Sequence, residues 1–442
     1  MRRGGCTFRR ARPGAFALII VLLSLSVLAM ILAGVQAVSF RQAASGRETL
    51  ARFRAYWAAR GGVECTLARL EATLQSGNTG SAYAIPDDMA QAATGSLDGA
   101  TWRITHALPG RSAEARDGPA DPHAKVNINL MTRDDLLQLE SMTEDVADSI
   151  LDWIDEDDTP NALGAEAGYY SQLPSPYEPR NGPMRSLFEL ELVAGVESDL
   201  VRGEDWNLDG VLDPNEDDGD ESWPPDNADG VLDAGWSAYI TASSWEPALA
   251  VSGQSKLNLV EATSDDLIAR VSTLDPLQAQ TILGYAGRAG ARLEDFISTN
   301  LSQIAGQGSP VRNLRDDQLR ALFEECTFID PKGEPSPGRI NINTVTRETL
   351  DYVTAIPPGV ADSLILARDA APTGFTNMMD LLEVPSMSPR RVTTYSSYLT
   401  VEAGSYVLTS TGRDEASGME ARLTCVVSTG VLPVSIVEQR VR

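Results

Sequence analysis

The chain has 442 residues, with 62 acidic against 36 basic side chains and only two histidines, for a net charge of −26. So acidic a chain repels nucleic acid and anionic lipid, and it suits a solvated envelope protein or a binder of divalent cations. The length allows two or three domains with real cores. Neither His106 nor His123 sits near a cysteine or a paired acid, and no glycine-rich phosphate loop occurs, so catalysis and nucleotide hydrolysis have no support.

In chain order, Arg9, Arg10 and Arg12 precede Gly14, and no charged residue follows from 15 to 40. That run is long enough to cross about 30 Å of hydrocarbon as a helix. It exceeds the roughly 7–15 residues of a secretory signal core, and no A-x-A cleavage site ends it. A signal anchor with cytoplasmic arginines and a translocated body is the plain reading. The stretch Arg12-Pro13-Gly14-Ala15-Phe16-Ala17-Leu18-Ile19 also resembles a prepilin site, where a peptidase cuts after the glycine and leaves the apolar segment on the mature protein. This gives a leader at 1–14, processed between Gly14 and Ala15, and a transmembrane segment at 15–40.

Leu50, Phe53, Trp57, Val63, Leu67, Leu70 and Leu74 recur at helical spacing. They extend the apolar run into one helix over 15–74, with Gly34, Gly61 and Gly62 as places to bend and one apolar stripe to pack on a sheet. Strands are expected at 100–108, 406–411 and 421–428, the last two enclosing a turn at 412–418. The expected fold is therefore α+β: a helix-plus-antiparallel-sheet domain from 41–124 and 404–442, interrupted by a large α-helical insertion at 125–403.

The insertion repeats itself. Blocks 127–136 (NINLMTRDDL), 258–267 (NLVEATSDDL) and 341–350 (NINTVTRETL) align without gaps, each with Asn first, Thr sixth and Leu tenth. Thr132, Thr263 and Thr346 are placed as helix N-caps, and Asp135 and Asp266 close capping boxes. In the third block Ile356-Pro357-Pro358-Gly359-Val360 marks a tight turn between two helices.

Within an insert at 204–236, residues 205–216 fit the calcium-loop template. Asp205, Asn207, Asp209, Asp213 and Glu216 fall at ligand places one, three, five, nine and twelve, Gly210 at six, and the Val211 carbonyl at seven. No Lys or Arg lies between Gly203 and Ser255 to compete. A second copy at Asn227, Asp229, Gly230 and Asp233 is degraded, with Pro225 and Trp236 at its end places. A solvated acidic loop is the alternative for both. Asp155, Glu156, Asp157 and Asp158 form another acidic run at a helix C-terminus, where like charge is unfavourable unless a cation or water compensates it. Cys65, Cys326 and Cys425 show no metal spacing; a Cys65–Cys425 disulfide and free thiols are both open.

Three features together resemble the type II secretion system protein K family of minor pseudopilins. They are the leader and apolar segment at Gly14, Ala15 and Leu18; the stretch from Trp153-Ile154-Asp155 through Gly164-Ala165-Glu166 and Tyr169-Tyr170 to Asn181, Pro183 and Ser186-Leu187-Phe188-Glu189-Leu190; and Asn341-Ile342-Asn343 entering a helix-hairpin-helix-like unit. The resemblance implies a pilin-like domain interrupted by an α-domain with SAM-like units. It implies a single-pass inner-membrane protein with a periplasmic body, at the tip of a pseudopilus with other minor pseudopilins and the major one. It further implies processing by prepilin peptidase, contact with secreted substrates or the outer-membrane channel, and structural Ca2+ in the α-domain at Asp155, Asp157 and Asp158. The 205–233 insert and the third repeat frame depart from the family pattern. Ile19 stands where most pilins carry Glu; an apolar residue suits a tip subunit, which has no neighbouring amine above it to pair. Two rivals remain: a calcium-binding envelope adhesin, and a helix-hairpin-helix DNA-uptake protein using Arg339, Arg347, Arg368, Arg390 and Arg391. The acidity of the body opposes nucleic acid as a partner.

Overall fold

The computed structural model describes residues 14–77, 80–107, 115–223, 225–306, 308–329, 335–430 and 432–441. Of the expected leader, only Gly14 falls among them.

Helix α1 (Gly14–Ser76) runs unbroken for 63 residues, about 95 Å. Its early apolar side chains point outward, Phe16 at 71% and Phe40 at 75% exposed, and the helix is long and apolar enough to cross a membrane. The outer half buries Ala51, Ala55, Ala58, Ala59, Val63, Leu67 and Leu70, whereas Leu50, Phe53 and Trp57 lie on the exposed side. The upper part of the apolar stripe read from spacing, Val63, Leu67 and Leu70, faces the sheet, whereas the lower packing face is a row of alanines in place of Leu50, Phe53 and Trp57. Small side chains let the helix settle close to the sheet: a β-carbon at Gly412 would overlap the Ala55 carbonyl oxygen, and one at Gly62 would press on the Trp102 ring. Gly62 and Gly412 therefore serve close approach, where the sequence suggested a bend and a turn.

Strands β1 (Thr94–Leu97), β2 (Ala100–Ala107) and β3 (Ala115–Asp117) precede the insertion. Inside it lie three two-residue parallel pairs: β4 (Val126–Asn127) with β5 (Ile240–Thr241), β6 (Leu257–Asn258) with β7 (Cys326–Thr327), and β8 (Ile340–Asn341) with β9 (Leu399–Thr400). Strands β10 (Ser405–Asp414), β11 (Glu420–Ser428) and β12 (Ser435–Val441) follow. The main sheet is antiparallel in the order β1-β2-β10-β11-β12, with β3 on β2. Because β2 pairs directly with β10, Ile104 facing Ser410, the chain leaves this sheet after β3 and re-enters it beside β2. Val63, Leu67, Leu70 and Met89 pack there against Tyr406, Leu408, Leu423, Cys425 and Val427.

Each Asn-Thr-Leu block opens one of the parallel pairs, so the insertion is built of three like units. Thr132 accepts from the Asp135 N–H, Thr263 from Asp266 and Thr346 from Thr349, with reciprocal boxes at the first two. One continuous core joins all three units.

Of the two options left open for the cysteines, the free thiols hold and no Cys65–Cys425 bridge forms. Cys65 is exposed on α1 and Cys425 is buried in the sheet core, and both are free thiols.

Candidate metal centre

Helix Glu144–Ile154 has Asp148 and Asp152 four residues apart, hence on one face, and both are buried. Asp148 is neutralised by the Arg133 guanidinium at 2.6 Å and accepts the Leu163 N–H. Asp152 has no cationic partner among the described residues. Its Oδ1 accepts two hydrogen bonds from Asn161, and its Oδ2 accepts none. The helix stops at Asp155, whose backbone turns extended, and the chain returns through Gly164 to place Glu166 at the start of the short helix Ala167–Tyr170.

The result is a convergence of like charges. Asp152, Asp155 and Glu166 each offer an oxygen, and the three oxygens lie within 4.8 Å of one another. Glu166 is 5% exposed, and neither carboxylate oxygen has a hydrogen-bond partner among the described residues. Trp153 and Tyr170, rings 5.3 Å apart, are buried in the same segment. Burial, with the charges of Asp152 and Asp155 next, pushes the Glu166 carboxyl up to about 7. Burial also raises Asp155. An all-oxygen set of acidic groups at a negative helix end is matched by a hard divalent cation such as Ca2+, and poorly by metals that favour nitrogen or sulfur. The orphaned oxygens of Asp152 and Glu166 fit such an ion.

Of the expected ligands, only Asp155 belongs to this cluster. Asp157 and Asp158 are exposed. Asp157 caps the Thr159 N–H at 2.7 Å, and Asp158 accepts from the Asn181 amide at 2.8 Å. They shape the loop beside the cluster and lie outside it. Sequence reasoning missed Asp152 and Glu166. The i, i+4 spacing of Asp148 and Asp152, followed by Asp155 on the same side of the helix, was the available signal.

The 205–216 loop folds around its own carboxylates. Asp205 accepts the N–H groups of Asp209 and Gly210, and Glu216 those of Trp206 and Asp213, all at 2.9–3.0 Å. Asn207 donates to Asp213, and the Val211 N–H to Asp209. Positive φ at Leu208 and Gly210 closes the turn. Burial raises Asp205 to about 6 and Glu216 to about 7. The sequence showed no cation nearby, but the fold supplies two: Arg422 on β11 contacts Asp209 and lies 3.3 Å from Asp213, and the charge of Lys125 acts on Asp205.

The degraded second copy repeats this geometry. Asn227 donates to Asp233 and the Val231 N–H to Asp229, as in the first loop. Glu204 accepts the N–H groups of Asn227 and Asp233, at places three and nine where Glu216 takes two and nine, and Asp217 accepts that of Gly230, one of the two places that Asp205 takes in the first loop. Residues from elsewhere in the insert thus stand in for Pro225 and Trp236, and no linear template could reveal them.

Three of the five third-unit arginines are committed to carboxylates, whereas Arg390 and Arg391 are exposed, Arg391 donating to the Ser386 carbonyl. Arg339 is held between Glu246 at 2.8 Å and Glu294 at 2.6 Å, Arg347 contacts Asp351 and Asp362, and Arg368 pairs with Asp369. Those three have their charge matched by carboxylates and are not free for phosphates.

Residues 112–203, which hold the carboxylate cluster, match the family model for type II secretion system protein K, and residues 336–400 match that for a helix-hairpin-helix motif. A curated relative, type II secretion system protein K of Pectobacterium carotovorum subsp. carotovorum, is 44% identical over 59 residues, 13% of this chain and 18% of that relative. The match therefore spans less than a fifth of the relative's length. A solved structure of the GspK-GspI-GspJ complex from the enterotoxigenic Escherichia coli type 2 secretion system aligns over 91% of this chain and 99% of the matched chain, at 13% identity and a TM-score of 0.46.

Proposed function

From the premise that residues 112–203 carry a type II secretion system protein K domain, we propose that this protein is a minor pseudopilin of that system, a non-enzymatic assembly component for protein export. In this reading α1 holds the protein in the inner membrane as a single-pass anchor, with the body in the periplasm, and then packs in the core of a pseudopilus. The insertion caps the tip, beside other minor pseudopilins above the major one, and faces secreted substrates or the outer-membrane channel. The observation that carries the reading is the protein K domain joined to a 63-residue helix that continues from an apolar span onto an antiparallel sheet. The net charge of −26 and the ion pairs of Arg339, Arg347 and Arg368 weigh against the DNA-uptake alternative.

Calcium in this reading is structural. Asp152, Asp155 and Glu166 would hold one ion, and the 205–216 loop, with Asp205, Asn207, Asp209, Asp213, Glu216 and the Val211 carbonyl, a second. Neutralising three converging carboxylates would fasten the return of the chain from Asp155 to Glu166.

N-terminal sequencing of the protein from cells with and without prepilin peptidase tests the main proposal. The expected mature chain begins at Ala15 only when the peptidase is present. A chain that still begins at Met1 in both would overturn the pseudopilin reading.

A further inference from the structure

One turn of the chain does three things for the carboxylate cluster. Asn161 donates to Asp152 Oδ1 twice, from its backbone N–H at 3.0 Å and from its side-chain Nδ2 at 2.6 Å. The Gly164 N–H donates back to the Asn161 carbonyl at 3.2 Å, closing the turn two residues before Glu166. A β-carbon at Gly164 would overlap Asp152 Oδ2, the oxygen left without a partner among the described residues.

A buried carboxylate is otherwise symmetric: either oxygen can face the cluster, and rotation about its last bond exchanges them. Two donors on one oxygen break that symmetry, and both bonds are strengthened by the carboxylate charge. We infer that Asn161 and Gly164 are the positioning residues of the cation site, the asparagine saturating Oδ1 so that Asp152 meets the ion through Oδ2, and the glycine keeping that oxygen clear. The inference rests on the reading of Asp152, Asp155 and Glu166 as cation ligands. Neither positioning residue touches the ion in this scheme. Their effect is to have the ligand aimed before the ion arrives, so that binding does not have to freeze it.

The test compares calcium titrations by calorimetry on the full-length, detergent-solubilised protein with melting temperatures in chelator. The site's share of binding is defined as what D152N removes. N161A keeps the backbone N–H bond to Oδ1 and loses only the amide. It is expected to weaken calcium at that site about 10-fold or more, while its Tm in chelator stays within about 2 °C of the parent. N161S, which retains a shorter donor, should recover part of the affinity, and G164A should lose it. Parental affinity in N161A would overturn the inference, as would an affinity loss matched by an equal collapse of the chelator Tm. If D152N and E166Q bind calcium as the parent does, the cation reading itself has failed, and the positioning role with it.

Discussion

Glu166 shows how one side chain can couple stability to pH. Its carboxyl is raised from the ordinary 4.5 to about 7, chiefly by burial, so the ion-free fold favours its protonated form. The stabilisation tied to that proton is complete below pH 4.5 and is lost as pH rises through 7, a difference of about 3 kcal/mol at most. In chelator, the Tm should therefore fall between pH 5 and pH 8, and saturating calcium should remove the fall. Asp205 and Glu216 are shifted in the same direction, so E166Q should flatten part of the slope and E166Q with E216Q most of it. An unchanged slope in the double variant would count against the assignment. Calcium affinity should rise over the same interval, as protons cease to compete for the carboxylates.

At the scale of elements, the joint between α1 and the sheet depends on absent side chains. Gly412 lies against the Ala55 carbonyl within strand β10, and backbone on both sides gives little room to yield. G412A should cost about 1–3 kcal/mol in urea unfolding through overpacking. The capped helices of the insertion make a gentler comparison: T263A removes a hydroxyl that accepts the Asp266 N–H and should cost about 1 kcal/mol. If G412A proved milder than T263A, the close approach would not be what fixes that glycine. The same joint explains the exposed Leu50, Phe53 and Trp57. Helix and sheet meet through alanine and glycine, which leaves the large side chains on the opposite side of the helix.

Across the whole molecule, Arg339 ties the second and third units to the segment that joins the first to the second. It stands before β8 in the third unit, its guanidinium pairs with Glu294 of the second and with Glu246 between the first and second, and it also donates to the Ser396 carbonyl. The two carboxylates hold this guanidinium far above its usual range. R339A would leave Glu246 and Glu294 buried and unpaired, with an expected loss of about 3–5 kcal/mol. Thermal unfolding should show it, and R339A with E246Q should recover part of the loss. A loss under about 1 kcal/mol, the range of exposed pairs, would show that the pair is not an organising contact. At the same scale, chelation should lower the parent's Tm by an amount that grows with the calcium concentration it replaces.

What the sequence determined by itself was whatever rests on local spacing. Charge-free length specified the apolar helix, Asn-Thr-Leu blocks specified three capped helix starts, and alternation specified β2, β10 and β11 to within a few residues. These signals lie within a dozen residues because hydrogen bonds to a cap, or one face of a strand, are satisfied by near neighbours. Tertiary structure decided what requires distant partners. It placed β2 beside β10 and built the carboxylate cluster from Asp152, Asp155 and Glu166 in place of the run at 155–158. It brought Glu204 and Asp217 to complete the second loop, and Arg422 to the first. A carboxylate in sequence carries no mark of whether its fold leaves it solvated, capped by a neighbouring N–H, or buried facing two others. Only the packing of chain segments sets the burial and the charges around it, and those decide which acids are left in need of a cation.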